Sequence, residues 1–317
     1  METPLRSRAT RHQGGLPMGF SGVPRKDLAV PSRRPSDLPI RGARVAVIGG
    51  TAGLGRALAQ QIAANGGQVT VVGRTLRDPA PPNIQFIQAD LSSMKEAKAL
   101  GAKLPDDLDV IIFTTGIMAA PSREETPEGV ERDMAVSYLN RLAVMNELAP
   151  RLANRARGSE RRPRVFVMGF PGTDSQAKVD LNDLNGERSY TAMGAHMTTV
   201  AGNEVLVLDS VKRYPELDVF GLNPGLVKTD IRANYLGHGS LKHRLSEWLI
   251  GLMMPSPEQY ATRMLPVLFA PELNGRSGAM FNPKGRAILA SSGVTDDYVA
   301  AFTPKAQALL DRAIAHR

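Results

Sequence analysis

Short runs of apolar residues alternate with longer stretches of helical periodicity through most of the chain. Short, fully apolar runs are typical of strands buried on both faces of a sheet. They predict strands near residues 45–48, 68–72, 84–89, 108–113, 164–168 and 218–222, with a short strand near 278–281. Helical spacing predicts a first helix with Leu54, Leu58 and Ile62 on one face, and further helices at about 92–104, 123–153 (one helix or two), 192–213, 258–269 and 304–316. This alternation predicts parallel βαβ units with right-handed crossovers, and therefore an α/β fold with a doubly wound parallel sheet.

A cluster of glycines follows the first predicted strand. Gly49, Gly53 and Gly55 permit a tight turn and a close approach of the backbone to a ligand. The free N–H groups at the start of the next helix carry partial positive charge, which attracts phosphate. Thr51 and Leu54 lie in the same turn and are also candidate cofactor-binding residues. Because a strand precedes the cluster and a helix follows it, the pattern predicts a dinucleotide-binding turn of the Rossmann type. The alternative is a purely structural glycine turn.

An arginine lies just beyond the second predicted strand. In a dinucleotide-binding fold the residue at this place lies beside the adenosine ribose, where an acid would bind the 2′-hydroxyl of NAD and an arginine suits the 2′-phosphate of NADP. Arg74 occupies that place, and the next carboxylate along the chain is Asp78. Since a guanidinium group binds phosphate through two parallel hydrogen bonds, the sequence predicts NADP(H) in preference to NAD(H). The alternative is that Arg74 is a solvated surface side chain.

The remaining candidate positions for the cofactor follow later strands. In open parallel sheets the ligand lies at the carboxyl ends of the strands. We therefore expect one crevice to collect the glycine turn, Arg74, Asp90, Gly116, Gly169 and residues 224–229.

Composition narrows the class of protein. The chain has 317 residues, 42% of them hydrophobic, which is enough for one large α/β domain or two small ones. The absence of cysteine excludes disulfides and thiolate catalysis, and the five histidines show no metal-ligand spacing, so we expect no metal site. The net charge is +8, but no basic face is interleaved with aromatic residues, and we expect no nucleic-acid partner.

Residues 1–38 are rich in Arg, Pro, Ser and Gly, lack periodicity, and carry seven basic and three acidic residues. This composition predicts a disordered N-terminal tail, with an organellar transit peptide or a start of translation at Met18 as alternatives. We expect residues 39–290 to form a single nucleotide-binding domain and residues 291–317 to form a C-terminal helical extension.

Residues 240–254 form an amphipathic stretch with an apolar end. The stretch predicts a helix in a small lid, over about 235–265, which would cover the crevice and favour a hydrophobic small-molecule substrate. The alternative is peripheral contact with a membrane surface. No apolar run reaches the roughly 18 residues required to span a bilayer, so we expect a cytoplasmic protein, with membrane association as the alternative.

From about residue 41 to 285 the chain resembles the short-chain dehydrogenase/reductase family, especially its retinol-dehydrogenase-like branch. The similarity rests on the glycine turn at 49–55, Asp90-Leu91, 109–118, Pro224-Gly225-x-Val227-x-Thr229 and 271–278. The resemblance implies that Asp90 and Leu91 contact adenine and that the loop at 224–229 holds the nicotinamide carboxamide. It also implies that the chain can form homo-oligomers.

The catalytic residues of that family are a tyrosine, a lysine four residues later on the same helix face, a serine and an asparagine, which together move and support a proton. None of the six tyrosines here is followed by lysine at that spacing. Two alignments of the helix compete. One takes Tyr190 as the tyrosine and Gly194 as the lysine position. The other, which we favour, places His196 and Val200 there.

The supporting residues are replaced as well. Ser137 stands where the asparagine is expected, and Met168-Gly169-Phe170 stands where the family has a pair of serines. His196 is the best candidate for proton transfer, because a neutral imidazole can exchange a proton near pH 7. Tyr190 is a weaker candidate, and the alternative for His196 is a histidine that only hydrogen-bonds a neighbour.

Two hypotheses about function follow from these replacements. The first is an NADP(H)-dependent oxidoreductase that acts on a carbonyl or alcohol of a hydrophobic small molecule with non-standard catalytic residues. The second is an NADP(H)-binding protein with little turnover that serves as a sensor or partner module. Both hypotheses place the cofactor on the glycine turn and Arg74.

Overall fold

The computed structural model describes residues 22–76, 81–159, 162–225 and 255–316. Within these ranges the chain forms an eight-stranded sheet in the order β3-β2-β1-β4-β5-β6-β7-β8. The strands are β1 Arg44–Ile48, β2 Gln68–Gly73, β3 Ile84–Gln88, β4 Val110–Phe113, β5 Arg164–Met168, β6 Asp218–Leu222, β7 Met280–Phe281 and β8 Ala287–Ile288. The first seven strands are parallel, and β8 pairs antiparallel with β7.

Helices cover both faces of this sheet. Over the described residues they are α1 Gly53–Ala64, α2 Met94–Lys103, α3 Arg132–Met134, α4 Asn140–Ala156, α5 Ala192–Arg213, α6 Pro257–Phe269 and α7 Asp296–Ala315. A π-helical turn, Ala135–Leu139, joins α3 to α4. In β1, Val45 and Val47 face the layer of α1 and α6, whereas Ala46 and Ile48 face the layer of α2, α4, α5 and α7. Burial on both faces is the reason why the strands read as continuous apolar runs.

The strand order fixes where a ligand can bind. β2 and β3 extend the sheet on one side of β1, and β4, β5 and β6 extend it on the other side. The carboxyl ends of β1 and β4 lie next to each other, where Ile48 pairs with Phe113. Ligands of doubly wound sheets bind in the crevice at such a switch in strand order. The predicted α/β fold with a doubly wound parallel sheet is therefore confirmed, whereas the site at this edge of the sheet stays a prediction.

Most predicted bounds agree with the structure to within about two residues, and the following differences are larger or concern whole elements. The C-terminal helix begins at Asp296 rather than near Pro304, because Thr295 caps it by accepting a hydrogen bond from the Tyr298 N–H (3.2 Å). The two-residue strand β8 was not predicted, since two residues carry no periodic pattern. The stretch predicted as helical from residue 123 is helical only from Arg132, because Thr126 N–H donates to Val130 O (2.8 Å) and closes a turn first.

The N-terminal prediction does not hold for residues 22–38, which pack on the domain. The Arg25 N–H donates to Ala287 O (2.9 Å), and Arg33 forms a two-bond ion pair with Glu272. Leu28 and Leu38 are buried in the layer of α1 and α6. Apolar side chains within an otherwise polar segment therefore fix it to the core, while residues 1–21 lie outside the described residues.

Most of the predicted lid lies outside the described residues, including all of 240–254. Its last part, from Pro257 to 265, belongs to α6, where Tyr260 and Ala261 are buried in the layer that α6 shares with α1. Among the helices of the described residues, none has the length and apolar character needed to cross a bilayer.

Candidate active site

The glycine turn between β1 and α1 has a geometry that only glycine meets. Gly49 and Gly53 have φ angles of 94° and 52°, in the left-handed region that side chains disfavour. The N–H groups of Gly49 and Gly50 donate to Val72 O (2.9 and 3.1 Å), which fixes the turn against the end of β2. A Cβ atom at Gly55 would collide with Gly49 O and with Thr114 Oγ1. The three predicted glycines thus allow α1 to start close against the ends of β1 and β4.

This turn fits the pyrophosphate of a dinucleotide. Ala52 is the N-cap of α1, and no side chain caps the N–H groups of the first helical turn, which includes Leu54. Uncapped N–H groups at a helix start bind phosphate oxygens. The Thr51 side chain packs on Gly73 at the end of β2, where a Cβ atom would lie 2.6 Å from Thr51 Oγ1.

The predicted adenosine side of the crevice follows β2 and β3. Arg74 comes directly after β2, is exposed, and makes no side-chain hydrogen bond to another described residue. Asp90 follows β3 and accepts hydrogen bonds from Ser92 N (3.0 Å) and Ser92 Oγ (2.7 Å). Leu91 is buried, and its carbonyl accepts a hydrogen bond from Asn140 Nδ2 (3.1 Å). The structure thus places these three residues at one sheet edge, beside the glycine turn.

The opposite side of the crevice follows β4, β5 and β6. A Cβ atom at Gly116 would lie 3.7 Å from Ser137 Oγ, and one at Gly169 would lie 3.1 Å from Asn203 Cβ. Pro224 and Gly225 follow β6, and Gly225 has a φ angle of 65°. Val227 and Thr229, the other predicted residues of this loop, lie outside the described residues.

His196 and Ser137 converge on one carboxylate. His196 lies in the first part of α5, and its Nδ1 is 3.0 Å from Asp133 Oδ2. The Ser137 hydroxyl hydrogen-bonds Asp133 Oδ1 and accepts a hydrogen bond from Ile117 N (3.0 Å). Asp133 is wholly buried, while 11% of the His196 side chain stays exposed. The His196 ring also packs edge-on against Phe170, with ring centroids 6.2 Å apart.

Tyr190 lies outside the helix that the first alignment requires. Thr191 is the N-cap of α5, so Tyr190 precedes the helix and does not share a helical face with Gly194. The Tyr190 hydroxyl donates to Ala120 O (2.6 Å), and burial together with Glu131 raises its pKa to about 12. A phenol with so high a pKa is poorly matched to proton transfer near neutral pH.

The position that the second alignment gives to lysine is apolar and closed. Val200 lies one helical turn after His196 and is 2% exposed. The neighbouring hydroxyls are bound within α5, since Thr198 donates to Gly194 O (2.9 Å) and Thr199 donates to His196 O (2.8 Å). These threonines are therefore occupied by the helix itself.

Asp133 and Arg141 are residues that sequence reasoning missed. Arg141 is fully buried in α4, and it donates to Met168 O (2.5 Å), Asn203 Oδ1 (2.7 Å) and Thr115 O. Burial lowers the Arg141 pKa to about 9, and the charge of Asp133 opposes that shift. A signal was present for Asp133, because it lies four residues before Ser137 and hence on the same helix face. No cluster of metal-binding side chains occurs in the part of the chain that the structure describes.

Comparisons with known proteins identify the family. A family model described as short chain dehydrogenase matches residues 43–159. An uncharacterized oxidoreductase of Saccharomyces cerevisiae is 43% identical over 284 residues, which cover 88% of this chain and 91% of the yeast protein. The chain belongs to the short-chain dehydrogenase family. Another relative of this short-chain dehydrogenase, the polyprenol dehydrogenase of Mus musculus, is 30% identical over 280 residues, 80% of each protein.

Solved structures show the same fold at lower identity. A short chain dehydrogenase from Salmonella enterica serovar Typhi has a TM-score of 0.57 at 17% identity and covers 80% of this chain and 100% of its own. An NADH-dependent reductase complexed with NAD has a TM-score of 0.55 at 18% identity and covers 83% of this chain and 99% of its own. The placement of this chain in the retinol-dehydrogenase-like branch stays a prediction.

Proposed function

We propose that this short-chain dehydrogenase is an NADP(H)-dependent oxidoreductase that interconverts a carbonyl and an alcohol on a hydrophobic small molecule. One observation carries the proposal: the segment after β4 contacts both the glycine turn and the group formed by His196, Asp133 and Ser137. Thr114 lies against Gly55, and three residues later the Ile117 N–H binds Ser137 Oγ. The segment 114–117 therefore lies between the proposed phosphate-binding turn and the residues proposed to exchange a proton.

The cofactor assignment rests on two features of the described residues. The uncapped start of α1 fits the pyrophosphate, and the exposed guanidinium of Arg74 fits a 2′-phosphate on the adenosine ribose. When bound, the nicotinamide supplies or accepts a hydride at the substrate carbon.

In this proposal His196 exchanges a proton with the substrate oxygen. Its Nδ1 is bound to Asp133, and its Nε2 makes no hydrogen bond to any described residue. In the direction of reduction, the Nε2–H bond of the imidazolium breaks, an O–H bond forms, and the electron pair stays on Nε2. The product is a neutral imidazole that keeps its hydrogen on Nδ1.

Apolar surface near His196 supports a hydrophobic substrate. Phe170 packs against the imidazole, and Met193, in the first turn of α5, is 39% exposed. One relative is named polyprenol dehydrogenase, and a polyprenol as its substrate agrees with this choice. The apolar end of 240–254 supports it at the level of sequence.

A second candidate function is cofactor binding with little turnover, in which the protein acts as a sensor or a partner module. The observation in its favour is the buried Val200, which replaces a cation with an apolar side chain. Without that cation, His196 must move the proton with help from Asp133 alone.

Absorbance of the reduced cofactor separates the two candidates. The purified chain is mixed with NADPH or NADH and a panel of aliphatic, aromatic and isoprenoid aldehydes and ketones. We expect turnover with a lipophilic substrate, faster with NADPH than with NADH. We also expect loss of about 10²-fold or more of kcat in His196→Gln, the scale of general acid–base assistance. NADPH binding without turnover across the panel would favour the second candidate.

A further inference from the structure

A buried carboxylate lies directly behind His196. Asp133 is 0% exposed, and its carboxylate has two hydrogen-bond partners. They are Ser137, one turn further along the same helix, and His196 on α5. An ionised carboxylate has only acceptor atoms. Both hydrogen atoms must then come from the partners, the Ser137 hydroxyl and His196 Nδ1. An ionised Asp133 therefore selects the imidazole tautomer with hydrogen on Nδ1.

A helix N-terminus and a buried cation lie close to Asp133. Asp133 lies in the first turn of the helix that starts at Arg132, where the positive end of the helix dipole stabilises an anion. The guanidinium of Arg141 is buried nearby, and the charge of Asp133 favours the protonated form of Arg141 by raising its pKa. Arg141 donates to two backbone carbonyls and to a neutral amide oxygen, so its positive charge is not cancelled by direct contact with a carboxylate.

The packing between α4 and α5 holds this pair in register. Asn203, two helical turns after His196, donates to Ser137 O (2.9 Å) and to Thr199 O (2.8 Å). Its Oδ1 accepts a hydrogen bond from Arg141 (2.7 Å). The Ser137 carbonyl of the π-helical turn Ala135–Leu139 is thus bound to α5. This contact lies one turn from the hydrogen bond between Asp133 and His196.

The order of contacts excludes the triad of a serine hydrolase. In such a triad the histidine binds the serine hydroxyl and the carboxylate binds the far ring nitrogen. Here the Ser137 hydroxyl binds the carboxylate, and the histidine is on the other carboxylate oxygen. The Ser137 hydroxyl therefore binds Asp133 and not His196. The Nε2 atom of His196 is then the ring nitrogen that can exchange a proton with a substrate.

We propose that Asp133 is a positioning residue that keeps hydrogen on His196 Nδ1 and presents Nε2 for proton exchange. This inference rests on the proposed function, in which His196 exchanges the proton. Asp133 itself touches neither the substrate nor the cofactor in this arrangement. Its effect is to give the imidazole one tautomer and one orientation, as carboxylates behind functional histidines do elsewhere.

Nuclear magnetic resonance tests this inference without turnover. The full chain is labelled with ¹⁵N-histidine, and two-bond ¹H–¹⁵N correlations report the tautomer of each of the five imidazoles. The His196 signals are assigned by their loss in His196→Gln. At a pH where the ring is neutral, we expect hydrogen on Nδ1. A wild-type His196 with hydrogen on Nε2 would overturn the inference, whatever the activity.

Variants sharpen the same measurement. In Asp133→Asn the amide oxygen can accept from Ser137 while the amide nitrogen donates to His196 Nδ1, so we expect the hydrogen to move to Nε2. Ser137→Ala leaves the carboxylate on His196 and should leave the tautomer unchanged. An Asp133→Asn protein that is folded by circular dichroism and keeps the wild-type tautomer would contradict the inference.

Kinetics link the tautomer to the reaction. We expect Asp133→Asn to lower kcat by about 10²-fold or more and to leave KM within about threefold, because Asp133 does not contact substrate. Asp107→Asn, which loses an ion pair to Arg44 at the opposite edge of the sheet, is the matched control and should keep the wild-type kcat. A wild-type kcat in Asp133→Asn with a changed tautomer would contradict the positioning role. Absence of wild-type turnover would instead contradict the proposed function.

Discussion

Arg74 is an exposed arginine one position beyond β2, and its side chain makes no hydrogen bond to another described residue. An exposed guanidinium beside the expected adenosine ribose is matched to a 2′-phosphate. We predict that Arg74→Ala weakens NADPH binding by roughly 1.5–3 kcal/mol, the scale of hydrogen bonds to a charged group, and leaves NADH binding nearly unchanged. Isothermal calorimetry with both cofactors measures the difference.

An arginine elsewhere on the surface controls for the loss of positive charge. Arg155 in α4 is similarly exposed and lies near Asp106, outside the crevice. Arg155→Ala should bind NADPH like the wild type. An equal loss of affinity for NADPH and NADH in Arg74→Ala would rule out the 2′-phosphate role.

The roles of some single residues could be predicted from the sequence, and the roles of others could not. The glycines of the turn and Arg74 are defined by local spacing, so they could be predicted without a structure. The pairing of Asp133 with His196 could not, because the two residues are 63 positions apart in the chain, and only the spacing of Asp133 and Ser137 gave a local signal. Burial of an acid also contradicts the usual expectation that a charged side chain is exposed, which hides such residues from pattern analysis.

At the scale of elements, the turn from β1 into α1 is the best-determined part of the candidate site. In an ordinary helix, replacing glycine with alanine stabilises the protein by about 1 kcal/mol. At Gly55 the new methyl group would collide with Gly49 O and Thr114 Oγ1. We therefore predict that Gly55→Ala lowers the melting temperature and weakens NADPH binding by at least about tenfold, or about 1.4 kcal/mol.

Gln60→Ala provides the control in the same helix, since Gln60 is exposed in α1. Calorimetry and thermal unfolding of both variants complete the comparison. Wild-type cofactor affinity in Gly55→Ala would show that the turn does not hold the pyrophosphate.

Helices and strands could be predicted where the spacing of apolar residues repeats over several turns, and could not be predicted where that spacing is interrupted. The bounds of α5 could be predicted because 22 residues of helical spacing lie between clear breaks. The π-helical turn at Ala135–Leu139 could not, because one widened turn changes the spacing by a single residue inside a continuous helix. That turn is next to Asp133 and Ser137, so the part of the helix that carries the chemistry is the part that the periodicity hides.

For the whole molecule, the segment 22–38 connects the N-terminal region to the far end of the sheet. Arg33 Nη1 donates to Glu272 Oε2 (2.7 Å), and a second bond joins the same two side chains. The hydrogen bond from Arg33 lowers the pKa of Glu272 from 4.5 to about 2. Because the folded pKa lies below the ordinary value, this pair stabilises the fold above about pH 4.5 and loses its effect as the pH falls towards about 2.

The pH dependence of stability tests this connection. We predict that Glu272→Gln lowers the urea midpoint at neutral pH, and that the difference from the wild type shrinks as the pH falls through the range from about 4.5 to about 2. Asp37→Asn removes a local, exposed pair with Arg34 and should change the midpoint little at any pH. A Glu272→Gln difference that is constant with pH would contradict the role of this ion pair.

At the scale of the whole molecule, our central proposal is that the glycine turn holds the cofactor next to a histidine that exchanges the proton. The rate of NADPH oxidation with a lipophilic aldehyde or ketone is measured for the wild type and for His196→Gln. We predict turnover by the wild type, a kcat at least about 10²-fold lower in His196→Gln, and equal affinity of the two proteins for NADPH. Equal turnover by the two proteins would contradict the assignment of proton exchange to His196.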